Sequence, residues 1–401
     1  MPMFIRKIMH AFFLGLAKFL TKFSPGARHV VYAGSGSASQ LCGHILRTGV
    51  KRILVVTDKP LRDLGIVDKA ISTLNDADVD VVIYDAVLPD PTFEQVAAGV
   101  AVGKEQGSEV LLAIGGGSSM DAAKIISASI TSEESPLDWV GFGKVKHEIL
   151  PVYAIPTTSG TGSEATMGAV IKNAETHEKH VLSGGSLLPV AAALDPDLIT
   201  GLPPHITAAT GMDALTHGIE AYIGIWERGS RKEDARIAIK LIFDNLAKAY
   251  RDGADLNARD GMAMGAYYAG LAINQVNVGN VHAIAHQLGG KYGIPHGLAN
   301  ALVLPHILEF CREEALTELA ELAVLIGAGT EGEGESVLAD KFIQKVRDLR
   351  TEVGIPDQSE LIQKDDFDDI VQLAIAEGGA YPVPRLLDRD SVLIVLNNIS
   401  V

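Results

Sequence analysis

The chain has 401 residues, which is more than one ordinary hydrophobic core organises, so two domains are expected. Its formal net charge of −16 argues against a nucleic-acid partner, because phosphate binding needs a basic surface. The two cysteines, Cys42 and Cys311, lie far apart and form neither a disulfide framework nor a zinc knuckle, so a reducing, cytoplasmic location is expected.

Residues 1–25 are expected to form an amphipathic N-terminal extension. Apolar side chains recur at helical spacing in residues 1–23, at Ile5, Met9, Phe12, Leu16, Phe19 and Phe23. Basic side chains fall on the other side, at Arg6, Lys7, His10, Lys18 and Lys22. Its longest apolar run is too short to span a bilayer. Two interpretations stay open, namely contact with a membrane surface and packing against its own subunit or a partner.

Residues 26–202 alternate between short β-branched runs and helical patterns. The runs are H-V-V-Y-A, R-I-L-V-V-T-D, V-D-V-V-I-Y-D, V-L-L-A-I and P-V-Y-A-I, with V-A-A-A-L-D-P closing the series. A β-hairpin is expected over residues 169–183. This alternation predicts βαβ units and an α/β domain with a mostly parallel sheet. Ligands of such sheets bind beyond the carboxyl ends of the strands.

Several candidate cofactor residues follow these strand ends. Asp58 closes the second run, where a carboxylate accepts hydrogen bonds from ribose hydroxyls. G-G-G-S-S at 115–119 opens a helix and can cradle a pyrophosphate, and T-T-S-G-T-G at 157–162 offers hydroxyls. The alternative is that these glycines serve tight turns alone. The upstream A-G-S-G is weaker, because Ser39 stands where a dinucleotide fingerprint has its third glycine.

Residues 203–401 lack strand patterns, so an all-helical second domain is expected. Helical spacing covers roughly residues 204–222, 231–250, 257–278, 281–292, 297–309, 313–326, 337–352 and 388–398.

A candidate metal site lies in this helical part. Asp213 and His217 are one turn apart in G-M-D-A-L-T-H-G-I-E-A-Y, and His282, His286 and His296 follow in V-H-A-I-A-H-Q-L-G-G-K-Y-G-I-P-H. A carboxylate and imidazoles on apolar helices are costly to bury unless a cation lies between them. The alternative for each pair is a surface ion pair or a satisfied core histidine. Spacing leaves open whether His282 or His286 binds the metal.

With both regions considered, the chain resembles the iron-containing alcohol dehydrogenases from about residue 26 to 401. The matching motifs are G-G-G-S-S-M-D-A-A-K, I-P-T-T-S-G-T-G-S-E, P-P-H-I-T-A-A-T-G-M-D-A-L-T-H, H-A-I-A-H-Q-L-G and G-I-P-H-G-L-A-N-A. The resemblance implies a dinucleotide-binding domain and a helical metal-binding domain, an architecture like that of dehydroquinate synthase. The N-terminal helix lies outside it.

The resemblance also implies roles for individual residues. It implies NAD as cofactor and Fe²⁺ as metal, although Asp/His ligation suits Zn²⁺ equally. The implied metal ligands are Asp213, His217, His282 and His296, with His286 as the catalytic group beside them. The implied cofactor contacts are Asp58, Asp90, Gly116, Gly117, Ser118, Thr157, Thr158 and Lys179. Asp90 departs from the family, because relatives often have Asn in this P-D-P-T motif.

The expected reaction is hydride transfer between a primary alcohol or aldehyde and NAD(H). A metal held by three neutral imidazoles and one carboxylate keeps positive charge and acts as a Lewis acid on the substrate oxygen. A lyase resembling dehydroquinate synthase is one alternative, but it would need several Lys or Arg near the metal. A metallohydrolase is another, and it leaves the glycine-rich loops and Asp58 unexplained. A homo-oligomer, a dimer, is expected.

Overall fold

The computed structural model of the protein describes residues 3–21, 29–176, 178–226 and 230–401. Lys22 and Phe23 of the expected N-terminal helix, and the side chains of Leu16, Lys18 and Phe19, lie outside the described part. The chain divides into two compact units. The α/β unit comprises residues 27–202 and 253–270, and the helical unit comprises residues 1–26, 203–252 and 271–401.

A six-stranded parallel sheet with spatial order β1-β9-β6-β4-β2-β3 forms the core of the α/β unit. Its central strands are completely buried, which explains their near-continuous runs of Val, Ile, Leu and Ala. A small second sheet, in the order β5-β8-β7, contains the expected hairpin as the antiparallel pair β7 and β8. The strands are β1 Val30–Ala33, β2 Arg52–Val56, β3 Asp80–Tyr84, β4 Val110–Gly115, β5 Gly141–Phe142, β6 Val152–Pro156, β7 Gly168–Lys172, β8 Lys179–Ser183 and β9 Ala191–Leu194.

Helices connect the strands of the parallel sheet. They are α2 Ser37–Arg47, α3 Lys59–Asp63, α4 Ile66–Ala70, α5 Ser72–Asn75, α6 Phe93–Gln106 and α7 Gly117–Ile130. The single helix expected between β2 and β3 is divided into three short ones. The first break occurs at Gly65, whose φ of 72° is left-handed and incompatible with a continuous α-helix.

The order of the strands brings the carboxyl ends of β2, β4 and β6 next to one another. Val56 of β2 pairs with Ala113 of β4, and Gly115 at the end of β4 pairs with Pro156 at the end of β6. The three loops that begin after these strands therefore lie side by side, where ligands of parallel sheets bind.

The segment 253–270 packs with the α/β unit. The boundary expected at residue 202 would instead place this segment in the helical domain. The backbones of Gly162 and Gly270 approach so closely that a Cβ on Gly162 would lie 2.6 Å from the Gly270 Cα. Two glycines remote in sequence therefore make this contact within the unit, and only folding brings them together.

The other helices are α1 Met3–Thr21, α8 Pro204–Ile223, α9 Ser230–Arg251, α10 Leu256–Val276, α11 Asn280–Tyr292, α12 His296–Phe310, α13 Leu316–Leu325, α14 Glu335–Glu352, α15 Phe367–Gly378 and α16 Arg389–Ile399. Helix α15 was not expected, although its buried residues Phe367, Ile370, Val371 and Ala374 follow helical spacing. Within the described residues, no helix has the length and apolarity needed to cross a bilayer.

Candidate metal centre and cofactor loops

Four side chains of the helical unit converge on one point. Asp213 and His217 lie one turn apart on α8, His282 lies on α11, and His296 is the first residue of α12. The Asp213 Oδ1 lies 3.8 Å from Nε2 of His217, 3.9 Å from Nε2 of His282 and 3.4 Å from Nε2 of His296. All four candidate ligand atoms lie within 4.8 Å of one another.

These distances fit a single divalent cation. Ligand atoms about 2.1 Å from a tetrahedral ion lie about 3.4 Å apart, close to the observed separations. Burial, together with the neighbouring imidazoles of His217, His296 and His286, holds the pKa of His282 well below its usual range. His282 is therefore neutral, and a neutral imidazole offers the lone pair that a metal ligand requires.

Glu220 determines which nitrogen of His282 carries that lone pair. The Nδ1–H of His282 donates to Glu220 Oε2 at 2.6 Å, which leaves Nε2 as the acceptor facing Asp213. The backbone N–H groups of Gly279 and Val281 donate to the same carboxylate at 2.7 and 2.6 Å. Burial raises the pKa of Glu220 to about 8, while these donors favour the ionised form.

Asn300 lies against the candidate ligand atoms. Its Nδ2 donates to Asp213 Oδ1 at 2.6 Å and lies 3.1 Å from Nε2 of His282 and 3.2 Å from Nε2 of His296. One amide nitrogen thus lies within hydrogen-bonding distance of three of the four candidate ligand atoms, so these atoms converge on a common point, as expected of a cation site.

Two glycines allow the helices to approach closely enough to form this centre. A Cβ on Gly297 would lie 2.2 Å from the Ala209 carbonyl oxygen of α8, so α12 begins directly against α8. A Cβ on Gly279 would lie 2.8 Å from Glu220 Oε1. The G-x-P-H-G motif and the residue before α11 therefore need glycine for packing.

His286 lies beside the centre and belongs to a separate hydrogen-bonded group. Its ring stacks on that of His296 at 5.3 Å, and its Nδ1–H donates to Glu377 of α15 at 2.5 Å. Gln287 Nε2 and the Tyr381 hydroxyl also donate to Glu377, each at 2.6 Å. The carboxylate fixes the His286 ring and leaves its Nε2 as an acceptor.

The expected phosphate-binding loops adjoin one another in the α/β unit. Gly116 caps α7, with Gly117 and Ser118 in the first turn, and the Thr157 N–H donates to the Gly115 carbonyl at 2.9 Å. A Cβ on Gly116 would lie 3.4 Å from Thr158 Oγ1. The structure therefore brings Gly116, Gly117, Ser118, Thr157 and Thr158 together at the N-terminus of a 14-residue helix.

Asp58 follows β2 at the same edge of the sheet and is partly buried. Its Oδ1 accepts the Leu61 N–H at 2.9 Å and so caps α3. Burial raises the pKa of Asp58, and the Leu61 N–H opposes that shift.

The two remaining candidate cofactor residues bind each other. Lys179 Nζ donates to Asp90 Oδ1 at 2.6 Å, which compensates the negative charge that the unusual Asp90 introduces. Asp90 has a left-handed φ of 55°, a conformation that Asn and Asp adopt more readily than other non-glycine residues. The backbone at this position thus accepts either residue.

The M-D-A-A-K part of the glycine-rich motif has a structural role. Lys124 is fully buried, and its Nζ donates to the carbonyl oxygens of Ser163 at 2.8 Å and Gly168 at 2.6 Å. Burial lowers the pKa of Lys124 to about 8, opposed by the nearby Asp121 and Glu164 carboxylates. The cation ties α7 to the loop after β6.

Sequence reasoning missed Glu220, Asn300 and Glu377. The sequence could have identified Glu220, because it is an acidic residue in the apolar segment that carries Asp213 and His217. The sequence could also have identified Asn300, since it lies one turn after His296 on the same helix face. Glu377 is about 90 residues from His286, so no local pattern connects the two.

Comparison with known proteins agrees with this arrangement. Residues 29–196 match the sequence profile of iron-containing alcohol dehydrogenase, and residues 207–400 match the profile of the C-terminal part of the Fe-containing alcohol dehydrogenase family. The chain is 38% identical to 1,3-propanediol dehydrogenase of Klebsiella pneumoniae, covering 90% of this chain and 92% of that one. It is 35% identical to NAD-dependent methanol dehydrogenase of Bacillus methanolicus, covering 84% and 91%.

A solved structure of a 1,3-propanediol oxidoreductase superposes with a TM-score of 0.89 at 36% identity, covering 92% of this chain and 97% of that one. The expected fold class is thereby confirmed. The expected oxidoreductase activity is confirmed as well, in preference to the lyase and the hydrolase. The chain belongs to the family of iron-containing alcohol dehydrogenases, NAD-dependent enzymes that interconvert alcohols and aldehydes.

Proposed function

We propose that the protein oxidises a primary alcohol to its aldehyde, and catalyses the reverse reaction, with one Fe²⁺ in the helical unit and NAD(H) in the α/β unit. The observation that carries this proposal is the convergence of Asp213 Oδ1 and the Nε2 atoms of His217, His282 and His296. Fe²⁺ is proposed over Zn²⁺ on the family relationship, because the ligand types suit both ions.

The ligand set suits an electrophilic role. A divalent cation lowers the pKa of an alcohol and polarises a carbonyl, and a nicotinamide supplies the hydride acceptor or donor. Asp213 is the one anionic ligand among three neutral imidazoles, so the set as a whole leaves positive charge at the site. Glu220 holds His282 in the tautomer that binds, and Asn300 holds the Asp213 carboxylate in place.

We propose His286 as the group that moves the proton. Glu377 accepts the hydrogen on Nδ1, so Nε2 is free to accept the proton that the alcohol releases. The Tyr381 hydroxyl and Gln287 amide keep the Glu377 carboxylate oriented. Glu377 is therefore proposed as a positioning residue that acts through His286.

For the cofactor, we propose that the α7 N-terminus and the threonine loop bind the pyrophosphate. Gly116, Gly117 and Ser118 present backbone N–H groups at a helix N-terminus, and Thr157 and Thr158 add hydroxyls. Lys179 and Asp90 are proposed to contact the cofactor as a neutral pair. Asp58 is proposed to accept hydrogen bonds from the adenosine ribose and to disfavour a 2′-phosphate.

The charge near the metal centre also supports the oxidoreductase over the lyase. A phosphorylated, carboxylated substrate would need several free cations there. Lys291, the Lys within the 282–296 window, instead pairs with Asp366 at 2.7 Å and Asp369 at 3.3 Å.

The proposal is tested by following NADH absorbance across a series of primary alcohols and diols, with metal analysis of the same sample. His282→Ala is expected to remove metal and activity together. His286→Ala is expected to keep the metal and to lower kcat by roughly 10²-fold or more. If His286→Ala is the variant purified without metal, the two roles are reversed; if a metal-free sample retains full activity, the assignment of the centre fails. The cytoplasmic location and the homodimer stay predictions.

A further inference from the structure

Helix α1 contacts the helical unit along a stripe formed by Arg6, His10 and Leu14, and it leaves five of its described apolar side chains exposed. Arg6 Nη1 donates to the Leu387 carbonyl at 3.0 Å, and His10 Nε2 lies 2.7 Å from the Tyr381 carbonyl oxygen. Leu14 is buried on the same stripe, since residues 6, 10 and 14 are each one turn apart. An amphipathic helix packed on its own subunit usually buries its broad apolar face, whereas in α1 that face is the exposed one.

The opposite side of α1 forms an exposed apolar face. Its members are between 44% and 74% exposed, and they are Phe4, Ile5, Ile8, Met9 and Phe12. Spacings of four and one place these side chains over a little less than half of the helix circumference. The hydrogen bonds of Arg6 and His10 hold this face away from the helical unit, so burial against its own subunit does not cover it.

Charge distinguishes between the partners that could cover the face. Residues 1–26 contain four Lys and Arg and no Asp or Glu, in a chain whose net charge is −16. Lys7 is exposed beside the apolar face. In a symmetric contact between two copies, the same face would meet itself and bring like charges together. Anionic headgroups complement the basic segment instead, and their acyl chains accept Phe and Ile side chains.

We infer that the apolar face of α1 is a docking surface for anionic lipid bilayers. The helix lies in the headgroup plane, with Phe4 and Phe12 inserted at the acyl boundary and Lys7 among the headgroups. The family profiles begin at residue 29, so this surface is an addition to the catalytic body. It does not depend on the proposed catalytic function.

Vesicle flotation of the full-length protein tests the inference. We expect the protein to float with phosphatidylcholine vesicles that contain phosphatidylglycerol, and to lose this binding in high salt or with pure phosphatidylcholine. Phe4→Glu/Phe12→Glu should reduce the partition coefficient at least about tenfold. Lys7→Gln should reduce it by about fivefold at low salt.

The matched control is Leu361→Glu/Ile394→Glu, which places the same charges at two other exposed apolar residues of the helical unit. It should bind vesicles like the parent. The inference is overturned if the parent does not float, if both vesicle types bind equally, or if the control loses as much binding. It is also overturned if Phe4→Glu/Phe12→Glu changes the lipid-free molar mass by light scattering, because the face is then an interface between copies.

Discussion

The substitution Glu220→Gln is expected to weaken metal binding through His282. The carboxylate accepts three hydrogen bonds, from the N–H groups of Gly279, Val281 and the His282 ring, at 2.6–2.7 Å. A glutamine amide has one oxygen and an NH₂ group that also donates, so at least one of the three donors loses its acceptor. In either orientation the neutral amide is also a weaker acceptor than the carboxylate, so the His282 tautomer is held less firmly.

The magnitude follows from the two interactions affected. Loss of the group that orients a metal-bound histidine lowers affinity about 10- to 100-fold, or about 1.4–2.8 kcal/mol. A buried donor left without its charged acceptor lowers the free energy of unfolding by roughly 1–3 kcal/mol. The variant should therefore stay folded and bind the metal weakly.

Calorimetric titration of the metal-free protein with Zn²⁺ or, without oxygen, Fe²⁺ measures the affinity, and circular dichroism checks folding. Glu377→Gln is the matched control, since it makes the same change at the partner of His286. It should keep the metal affinity and lower kcat. An unchanged affinity in folded Glu220→Gln, or an equal loss in Glu377→Gln, would refute the reasoning.

Three further predictions concern the α/β unit. Asp58→Ser keeps a cap for α3 but removes the negative charge, so the preference for NAD over NADP should fall by roughly 1–3 kcal/mol. The preference is measured as the ratio of the kcat/KM values for the two cofactors. Equal kcat/KM values in the unmodified protein would contradict the placement of Asp58. Lys124→Met leaves buried carbonyl oxygens without a donor, so it should lower the free energy of unfolding, measured by urea titration, by about 3–5 kcal/mol. The control Lys104→Met removes an exposed lysine and should lower the free energy of unfolding by less than about 1 kcal/mol. Burial raises the pKa of Glu164 from 4.5 to about 7, so the stability that its neutral form provides is complete below pH 4.5 and is lost as the pH rises through 7. Relative to Glu164→Gln, the parent should therefore lose about 3 kcal/mol across this range, and parallel pH profiles would show that the shift is absent.

For the N-terminal helix, the sequence pattern predicted the helix itself but not the side that contacts the protein. Helical spacing predicted an amphipathic helix, and α1 runs from Met3 to Thr21. The pattern could not decide which side faces the protein, because that depends on backbone carbonyls at Tyr381 and Leu387. Those acceptors are 381 and 371 residues away in the chain from Arg6 and His10, and they make the stripe that carries these two residues the inner one.

The sequence by itself determined the alternating α/β region, the helical region and a candidate set of ligands, namely Asp213, His217, His282, His286 and His296, because periodicity and ligand chemistry are local properties. Spacing left open whether His282 or His286 binds the metal, and the family resemblance implied His282. Only the tertiary structure decided how these side chains meet. Glu220 selects the His282 tautomer, and Glu377 does the same for His286 from a helix that was not expected. Residue spacing does not predict hydrogen bonds between segments that are remote in sequence, because these bonds depend on which segments become neighbours in the folded structure.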